Sequence, residues 1–495
     1  MTTKFQNLIN GKWVDSLSGK TFENRNPANW NEVIGLFPSS SVEDVNLAVI
    51  SARAAFGKWR LVPAPARGDI MRKIGDLLSK RKEEIAREMT REMGKVLAET
   101  RGDVQEGIDT AYYAATEGRR LFGNTVPSEL PNKFAMAIRV PIGVAGIITP
   151  WNFPLAIPTW KMFPAILSGN TCVFKPAVDT PKTATTLVEV MMEAGLPDGV
   201  VNLVHGKGSD VGNAIVTHTD VDLISFTGST GVGKQLSKDA SDTLKRVSLE
   251  LGGKNAQVVM DDADLDLALE GVLWGAFGTT GQRCTATSRL ILHEKIYDKF
   301  LEMLVERTSK LRLGDGLLSN SEVGPIINES QRKNTQNYVK IGIEEGAKLV
   351  CGGNIATGEE LKNGWFHEPT IFSEVKPNMR IATEEIFGPV LSVLKCNSLE
   401  DGITLLNKTI YGLSSSLYTK NINDAFKAIR DIQAGITYIN VPTIGAEAHM
   451  PFGGVKQTGN GHREGGWTVY DFFTEWKAIY IDYSGKLQRA QIDNY

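Results

Sequence analysis

The stretch that decides the fold is GVAGIITPWNFPLAIPTWKMFPAILSGNTCVFKPA, residues 143–177. Two short apolar runs, 143–148 and 171–174, flank a helical pattern over 160–167. A strand, a helix and a second strand in this order predict a parallel βαβ unit. The alternation continues along the chain at 184–193, 200–204, 211–217, 223–226, 231–238 and 247–251. These runs predict a parallel sheet with helices on both faces.

Ligands of such sheets bind outside the carboxyl ends of the strands. The segments that follow the predicted strands are Thr149-Pro-Trp-Asn152, Lys175-Pro-Ala177, His205-Gly-Lys-Gly208 and Thr227-Gly-Ser-Thr230. They are rich in turn-forming and hydrogen-bonding residues, which predicts a nucleotide site at this edge.

Two further regions complete the predicted organisation. Asn10-Gly11 between short apolar runs predicts a β-hairpin, and residues 42–121 have helical periodicity. After Asp261 a second alternation begins, with patterns at 272–277, 289–293, 297–311, 336–345, 390–394, 399–407 and 436–440. It predicts a second α/β domain, which carries Cys284.

Composition narrows the class of protein. The 495 residues predict two to four domains, and 54 basic against 57 acidic residues give no electrostatic sign of nucleic-acid binding. Four separated cysteines without a CxxC pair argue against a metal cluster or a disulfide framework and favour a reducing, cytoplasmic compartment. The uncharged stretch 140–160 contains four prolines, so it predicts a buried strand and a loop rather than a membrane span.

Cys284 in Gly281-Gln-Arg-Cys284 is the candidate nucleophile. Its neighbour Arg283 is a cation expected to favour the thiolate, and the small residues nearby leave room for a substrate. Glu250 lies in an apolar segment that ends in two glycines. A carboxyl group with little water around it has a raised pKa and can act as a general base.

Gly228-Ser-Thr-Gly-Val-Gly-Lys234 offers a rival interpretation, a P-loop NTPase. The next residue is Gln235, however, so the Ser/Thr hydroxyl that should hold Mg²⁺ is missing. The favoured interpretation is a helix N-terminus whose free N–H groups meet a pyrophosphate.

Taken together, the motifs resemble the aldehyde dehydrogenase superfamily. The motifs that carry the resemblance appear in family order as TPWNFPL (149–155), FKPA (174–177), FTGST (226–230), LELGG (249–253), GQRC (281–284), EEIFGP (384–389) and PFGG (451–454). The fold implied is a Rossmann-like parallel-sheet cofactor domain (1–124 and 141–253), an α/β catalytic domain (254–455), and a small β oligomerisation flap with a C-terminal tail (125–140 and 468–495).

The resemblance also implies roles for single residues. Cys284 would attack the aldehyde to give a thiohemiacetal and then a thioester, Asn152 would donate to the oxyanion, and Glu250 would activate the hydrolytic water. The implied cofactor contacts are Thr149, Trp151, Lys175, Gly206, Gly228, Ser229, Leu251, Glu385 and Phe387. Lys161 and Glu464 match positions of a proton relay.

Cofactor and substrate preferences rest on a few positions. Val178 stands where NAD-preferring members have an acid, so NADP⁺ is expected to be tolerated or preferred, although Asp179 is adjacent.

Arg283 suits a substrate with a distal carboxylate, or it pairs with an internal acid. The segments 156–162, 285–289 and 440–449 look closest to the 2-oxoglutarate semialdehyde (2,5-dioxopentanoate) branch. The alternative is a broad aliphatic or hydroxy-aldehyde oxidiser, of lactaldehyde or glyceraldehyde type. A homodimer or homotetramer is implied.

Overall fold

A computed structural model describes residues 2–493. Its strands are β1 (Asn7–Ile9), β2 (Lys12–Val14), β3 (Thr21–Asn26), β4 (Asn29–Pro38), β5 (Asn124–Pro127), β6 (Lys133–Pro141), β7 (Val144–Ile148), β8 (Thr171–Lys175), β9 (Val201–Leu203), β10 (Leu223–Thr227), β11 (Arg246–Glu250), β12 (Asn255–Val259), β13 (Thr287–His293), β14 (Lys348–Cys351), β15 (Thr370–Ser373), β16 (Val390–Cys396), β17 (Ser414–Tyr418), β18 (Ile436–Ile439) and β19 (Thr474–Asp482).

Its α-helices are α1 (Val42–Trp59), α2 (Ala64–Lys80), α3 (Lys82–Met93), α4 (Leu97–Glu117), α5 (Ala156–Ser168), α6 (Pro181–Glu193), α7 (Asn213–Thr217), α8 (Thr230–Ala240), α9 (Leu265–Phe277), α10 (Tyr297–Ser309), α11 (Glu329–Glu344), α12 (Arg380–Thr383), α13 (Leu399–Asn407), α14 (Ile422–Asp431) and α15 (Val469–Phe473). The helical periodicity of 42–121 is confirmed by α1 to α4.

The first large sheet has the strand order β11-β10-β7-β8-β9-β1-β2. Strands β7 to β11 pair in parallel, as the βαβ alternation predicts, and the β1–β2 hairpin adds an antiparallel edge. The hairpin turn predicted at Asn10-Gly11 is confirmed, since these residues have φ of 52° and 72°. Strands β7 and β8 are buried throughout because one apolar cluster covers each face of the sheet.

The second large sheet has the order β14-β15-β16-β13-β12-β17-β18 and is parallel except at β14. The chain passes from the first sheet to the second between Glu250, which ends β11, and Asn255, which begins β12. The loop that joins the two sheets therefore starts at the predicted base, Glu250, and runs close to the predicted nucleophile, Cys284.

A third sheet, β19-β6-β5, is antiparallel, with Thr474 paired to Pro141 and Asp482 to Lys133. These strands lie largely within 125–140 and 468–495, the segments expected to form the small β flap and the tail. The bounds of the three domains stay a prediction. Residues 494 and 495, the end of the predicted tail, lie outside the described residues.

The uncharged stretch 140–160 forms the end of β6, then β7, a loop and the first turn of α5, as expected for a buried strand that runs into a loop. Among residues 2–493, none of the helices has the length and apolar character needed to cross a bilayer.

Candidate active site

Two cavities meet at Cys284, between the two large sheets. The larger has a volume of about 670 Å³ and includes Glu250, Arg283 and Glu464 in its walls. The smaller, of about 390 Å³, lies at the carboxyl ends of β7 and β10. Cys284, Thr227 and Leu251 line both. A thiol at this junction can reach a ligand in either cavity.

A strained turn presents Cys284. Thr279, Thr280 and Gly281 have φ of 53°, 57° and 68°, a run of left-handed backbone that costs about 1–3 kcal/mol for each residue other than glycine. A Cβ on Gly281 would stand 2.3 Å from the Gly388 carbonyl oxygen, so no other residue fits there. The turn aims Cys284 away from the helix axis of α9.

Asn255 locks the other side of this turn, a role the sequence alone does not reveal. Its Nδ2 donates to the carbonyl oxygens of Cys284 (2.7 Å) and Ala286 (2.9 Å), and its Oδ1 accepts from the Ser414 N–H (3.0 Å). Gly253 permits the approach, because a Cβ there would lie 2.4 Å from the Cys284 carbonyl oxygen.

Asn152 is brought to Cys284 as predicted. It is only 2 % exposed, and its Nδ2 donates to the Gln282 carbonyl oxygen at 3.1 Å, two residues before the nucleophile. An amide nitrogen has two N–H donors, so the second stays available to an oxyanion. Gln282 is in turn held by the Ile327 N–H, which donates to its Oε1 at 3.0 Å.

The expectation that Arg283 favours the Cys284 thiolate is wrong. Burial, and then the carboxylates of Glu250, Glu385 and Glu464, raise the pKa of the Cys284 thiol. The Arg283 guanidinium turns away and binds Thr279 and Glu99. A thiol with a raised pKa holds its proton more firmly than a free cysteine, so a nucleophilic role for Cys284 requires a base that takes this proton.

Glu250 meets that requirement. It is 3 % exposed, and burial, reinforced by the charge of Glu464, raises its pKa well above the usual value, against the opposing charges of Lys161 and Arg463. The direction is the one the apolar sequence context predicts.

The structure also brings the predicted relay residues together. Lys161 of α5 is fully buried; its Nζ contacts Glu464 and donates to the Ser225 hydroxyl at 3.0 Å. Glu464 lines the larger cavity with Glu250, but both Glu250 carboxyl oxygens lack a hydrogen-bond partner among residues 2–493, so the direct contact in this group is the one between Lys161 and Glu464.

Arg283 pairs with an internal acid and also lines the larger cavity. Its Nε donates to Thr279 Oγ1 (2.8 Å) and its Nη2 lies 3.4 Å from Glu99 Oε1, so it does pair with an internal acid. Its side chain also lines the larger cavity, packed over the rings of Phe153 and Trp274. Its contact with Glu99 is the longer of its two hydrogen bonds.

Glu99 belongs to a set of charged groups around α4 that sequence reasoning missed. Asp103 binds Lys95 at 2.7 Å with both side chains fully buried, and its other oxygen accepts from the Ala156 N–H (2.8 Å) at the start of α5. The Lys95 ammonium lies 3.5 Å over the Phe153 ring. The spacing of 99, 103 and 106 along one helix face is the signal that could have found them.

The smaller cavity fits a dinucleotide. Most of the predicted cofactor contacts line it, namely Trp151, Gly228, Ser229, Leu251, Glu385 and Phe387. Helix α8 begins at this cavity with Ser229 as its N-cap, so its first N–H groups and positive dipole end can receive a phosphate. A Cβ on Gly252 would stand 2.3 Å from Glu385 Oε2, which shows how closely the carboxyl group is packed at the edge of this cavity.

Residues that the sequence analysis did not single out hold the segment of Glu385 and Phe387 in place. Gln331 of α11 donates to the carbonyl oxygens of Ile386 (2.8 Å) and Phe387 (2.9 Å). Phe387 has φ of 59° and meets Trp151 edge to face at 5.4 Å. Burial raises the pKa of Glu385 to about 7, and its Oε1 accepts from the Gly253 N–H (2.9 Å).

Thr149, Lys175 and Gly206 do not line this cavity but stand along the same sheet edge. Thr149 follows β7, Lys175 ends β8 and Gly206 comes shortly after β9. Burial lowers the pKa of Lys175 to about 8. Asp179, the acid next to Val178, accepts a hydrogen bond from Asn328 Nδ2 at 3.0 Å.

The P-loop interpretation fails at its lysine. Lys234 donates to Gln457 Oε1 (2.7 Å) at an exposed position, whereas a phosphate-binding lysine has to face the phosphates. The favoured prediction of a helix start is confirmed, since α8 begins at Thr230.

Comparison with known proteins agrees with this geometry. Residues 13–479 match the model of the aldehyde dehydrogenase family. The chain is 43 % identical over 477 residues to an alpha-ketoglutaric semialdehyde dehydrogenase of Bacillus subtilis (strain 168), covering 96 % of this chain and 98 % of that protein. It is 42 % identical over 472 residues to a 2,5-dioxopentanoate dehydrogenase of Saccharolobus solfataricus, covering 95 % and 98 %.

A solved structure gives the same result. The betaine aldehyde dehydrogenase of Staphylococcus aureus in complex with NAD⁺ superposes with a TM-score of 0.95 at 36 % identity, covering 97 % of this chain and 95 % of that one. The fold and the enzyme class expected from the motifs are thereby confirmed. The chain belongs to the aldehyde dehydrogenase family.

Proposed function

We propose that this chain oxidises a carboxylate-bearing semialdehyde, of the 2-oxoglutarate semialdehyde type, to the corresponding acid with NAD(P)⁺. The observation that carries the proposal is the position of Cys284 at the meeting point of two cavities, with Arg283 in the wall of the larger one. The names of the Bacillus and Saccharolobus relatives support the substrate class.

The chemistry begins at Cys284. Once its proton is removed, the thiolate adds to the aldehyde carbon and the carbonyl oxygen becomes an oxyanion. The free N–H of the Asn152 amide and the Cys284 backbone N–H stabilise that charge. Donors aimed at a developing oxyanion account for about 10²–10³ in rate each.

Glu250 serves as the base. Its raised pKa makes its carboxylate a stronger base, which can take a proton from the thiol or from water and release it later. Glu464 and Lys161, buried and in contact with each other, would extend the proton relay beyond Glu250. The water that Glu250 activates hydrolyses the thioester.

NAD(P)⁺, when bound in the smaller cavity, supplies the acceptor for the hydride that leaves the substrate carbon. Trp151, Phe387, Leu251, Gly228 and Ser229 would hold it, with Glu385 on a ribose.

Lys175, Thr149 and Gly206 would serve the adenosine end of the cofactor. Val178 carries no charge, so the acid that would repel a 2′-phosphate is missing at this position, which supports use of NADP⁺.

Arg283 would recognise the distal carboxylate of the substrate. The guanidinium presents donors in a planar fork that matches a carboxylate, inside a wall formed by Phe153 and Trp274. The alternative, a broad oxidiser of aliphatic or hydroxy-aldehydes, predicts no such selectivity.

A panel of aldehydes tests the proposal, with reduced nicotinamide followed by absorbance and both cofactors tried. We expect kcat/KM for 2-oxoglutarate semialdehyde to exceed that for pentanal, and Arg283→Ala to raise KM for the semialdehyde alone. An equal effect on lactaldehyde, glyceraldehyde and pentanal would favour the alternative.

We also propose a homodimer or homotetramer joined through β19, β6 and β5. Trp476, Tyr480 and Ile481 expose 50 %, 67 % and 48 % of their surface on this small sheet, which is apolar area that a second copy would cover. A monomeric mass in light scattering would contradict it.

The four free cysteines support a reducing, cytoplasmic location.

A further inference from the structure

One titratable group in the wall of the larger cavity has no part in the chemistry above. Glu106 lies on α4 about two turns after Glu99, and the cavity that holds Cys284 and Arg283 includes it. Its Oε1 is buried and has no hydrogen-bond partner among residues 2–493. A buried carboxyl oxygen without a partner is costly, which points to a ligand that completes it.

The charges around Glu106 form neutral pairs. Lys95 pairs with Asp103 at 2.7 Å and Arg283 with Glu99 at 3.4 Å. Ionisation of Glu106 therefore adds a negative charge to a wall that already includes the carboxyl group of Asp109. A negative wall repels a substrate carboxylate, and a neutral carboxylic acid can donate a hydrogen bond to it.

The groups facing Glu106 come from four parts of the chain. They are Asp103 and Asp109 on α4 itself, Lys95 before α4, Arg283 from the catalytic turn and Tyr438 from β18. Burial, and then the charge of Asp103, raise the pKa of Glu106 to about 8. At neutral pH the acid is therefore mostly protonated.

We propose that Glu106 is a specificity-determining residue, whose protonated carboxyl group donates a hydrogen bond to the distal carboxylate of the substrate beside Arg283. This inference rests on the proposed substrate class and deepens it. Arg283 supplies the positive charge, and Glu106 supplies a donor that is lost on ionisation.

The test compares kcat/KM for 2-oxoglutarate semialdehyde with that for pentanal in the intact enzyme, as a ratio, from about pH 7 to about pH 9.5. The ratio cancels the titration of Cys284 and Glu250, which both substrates share. We expect a high ratio up to about pH 8 that then falls about tenfold per pH unit, the slope of one proton.

Two substitutions at the same position separate charge from hydrogen bonding. Glu106→Gln keeps a donor and cannot ionise, so its ratio should stay high and lose the pH step. Glu106→Leu should lower the ratio about tenfold at neutral pH, since a hydrogen bond to a charged group contributes about that much. Asp69→Asn, at an exposed position on α2 outside the lining of the larger cavity, is the control and should retain the step.

The outcomes are distinguishable. A wild-type ratio near one at neutral pH refutes the proposed substrate class and, with it, the role of Glu106. A high ratio without a step, or a step that persists in Glu106→Gln, refutes the role of Glu106 alone. Inhibition by 2-oxoglutarate, the product, gives a second readout and should weaken above about pH 8 in the wild type only.

Discussion

The most informative perturbation is Asp103→Asn. The Asp103 carboxylate neutralises Lys95 at 2.7 Å and accepts from the Ala156 N–H at 2.8 Å, so it connects the segment before α4 to the helix that follows the Asn152 loop. Both side chains of the ion pair are fully buried. The substitution keeps an oxygen for Ala156 and removes only the charge.

The expected cost follows from this burial. Removing one partner of a buried ion pair costs about 3–5 kcal/mol, because the remaining charge has lost its compensation. The Asn Oδ1 retains the bond to Ala156, which preserves about 1 kcal/mol. We therefore expect Asp103→Asn to lower the free energy of unfolding by about 3 kcal/mol, and Asp103→Ala by about 4 kcal/mol.

The pH dependence identifies the cause. Burial lowers the pKa of Lys95, and Asp103 opposes that shift, so the pKa falls further in the variant. When the folded pKa of a lysine lies below its unfolded pKa, the free energy of unfolding decreases as the pH falls from the unfolded pKa to the folded one. The deficit of the variant relative to wild type is therefore largest at low pH. It shrinks by about 1.4 kcal/mol per pH unit between the folded pKa of Lys95 in the variant and its folded pKa in the wild type.

The assay is urea unfolding followed by tryptophan fluorescence, from about pH 6 to about pH 9. Lys95→Met combined with Asp103→Asn is the matched control, since it removes both charges and should recover part of the loss. A deficit that is the same at every pH, or a double variant less stable than the single one, would refute the reasoning about the buried charge.

Three further predictions concern the catalytic turn. Asn152→Ala should lower kcat by about 10²–10³ with little change in KM, because an oxyanion donor acts mainly in the transition state; an unchanged kcat would exclude the role. Gly281→Ala should lower the urea midpoint and kcat, since its Cβ would lie 2.3 Å from the Gly388 carbonyl oxygen. Gly19→Ala, with φ of 66° and open space around the Cβ, measures the backbone cost alone. Iodoacetamide labelling of Cys284 should accelerate about tenfold per pH unit to beyond about pH 9, because its pKa is raised; a plateau near pH 7 would contradict the protonated thiol.

Much of the fold could be read in the sequence because it depends on local patterns. Apolar runs such as 143–148 and 171–174 became β7 and β8, and the turn residues after them lie at one sheet edge. Asn10-Gly11 formed the expected turn. Whole elements also went unpredicted, such as β12, β17 and α14, and helix α5 begins at Ala156 instead of residue 160.

The environment of the site was harder to predict. Glu250 was expected to have a raised pKa from its apolar neighbours, and burial indeed raises it. Arg283 was expected to favour the Cys284 thiolate only because it is next to Cys284 in the sequence. Adjacency in the chain does not fix the direction of a side chain, and the guanidinium turns to Glu99, which is 184 residues away in sequence.

The sequence by itself determined the alternation of strands and helices, the motifs after the strands, and the candidate nucleophile and base, because these depend on residue type and short-range order. The tertiary structure decided which charges meet. Asn255 holds the Cys284 carbonyl, Asp103 neutralises Lys95, and Glu106 Oε1 has no hydrogen-bond partner among the described residues. Electrostatic energy depends on distance in space and on exclusion of water, and both exist only once the chain has folded.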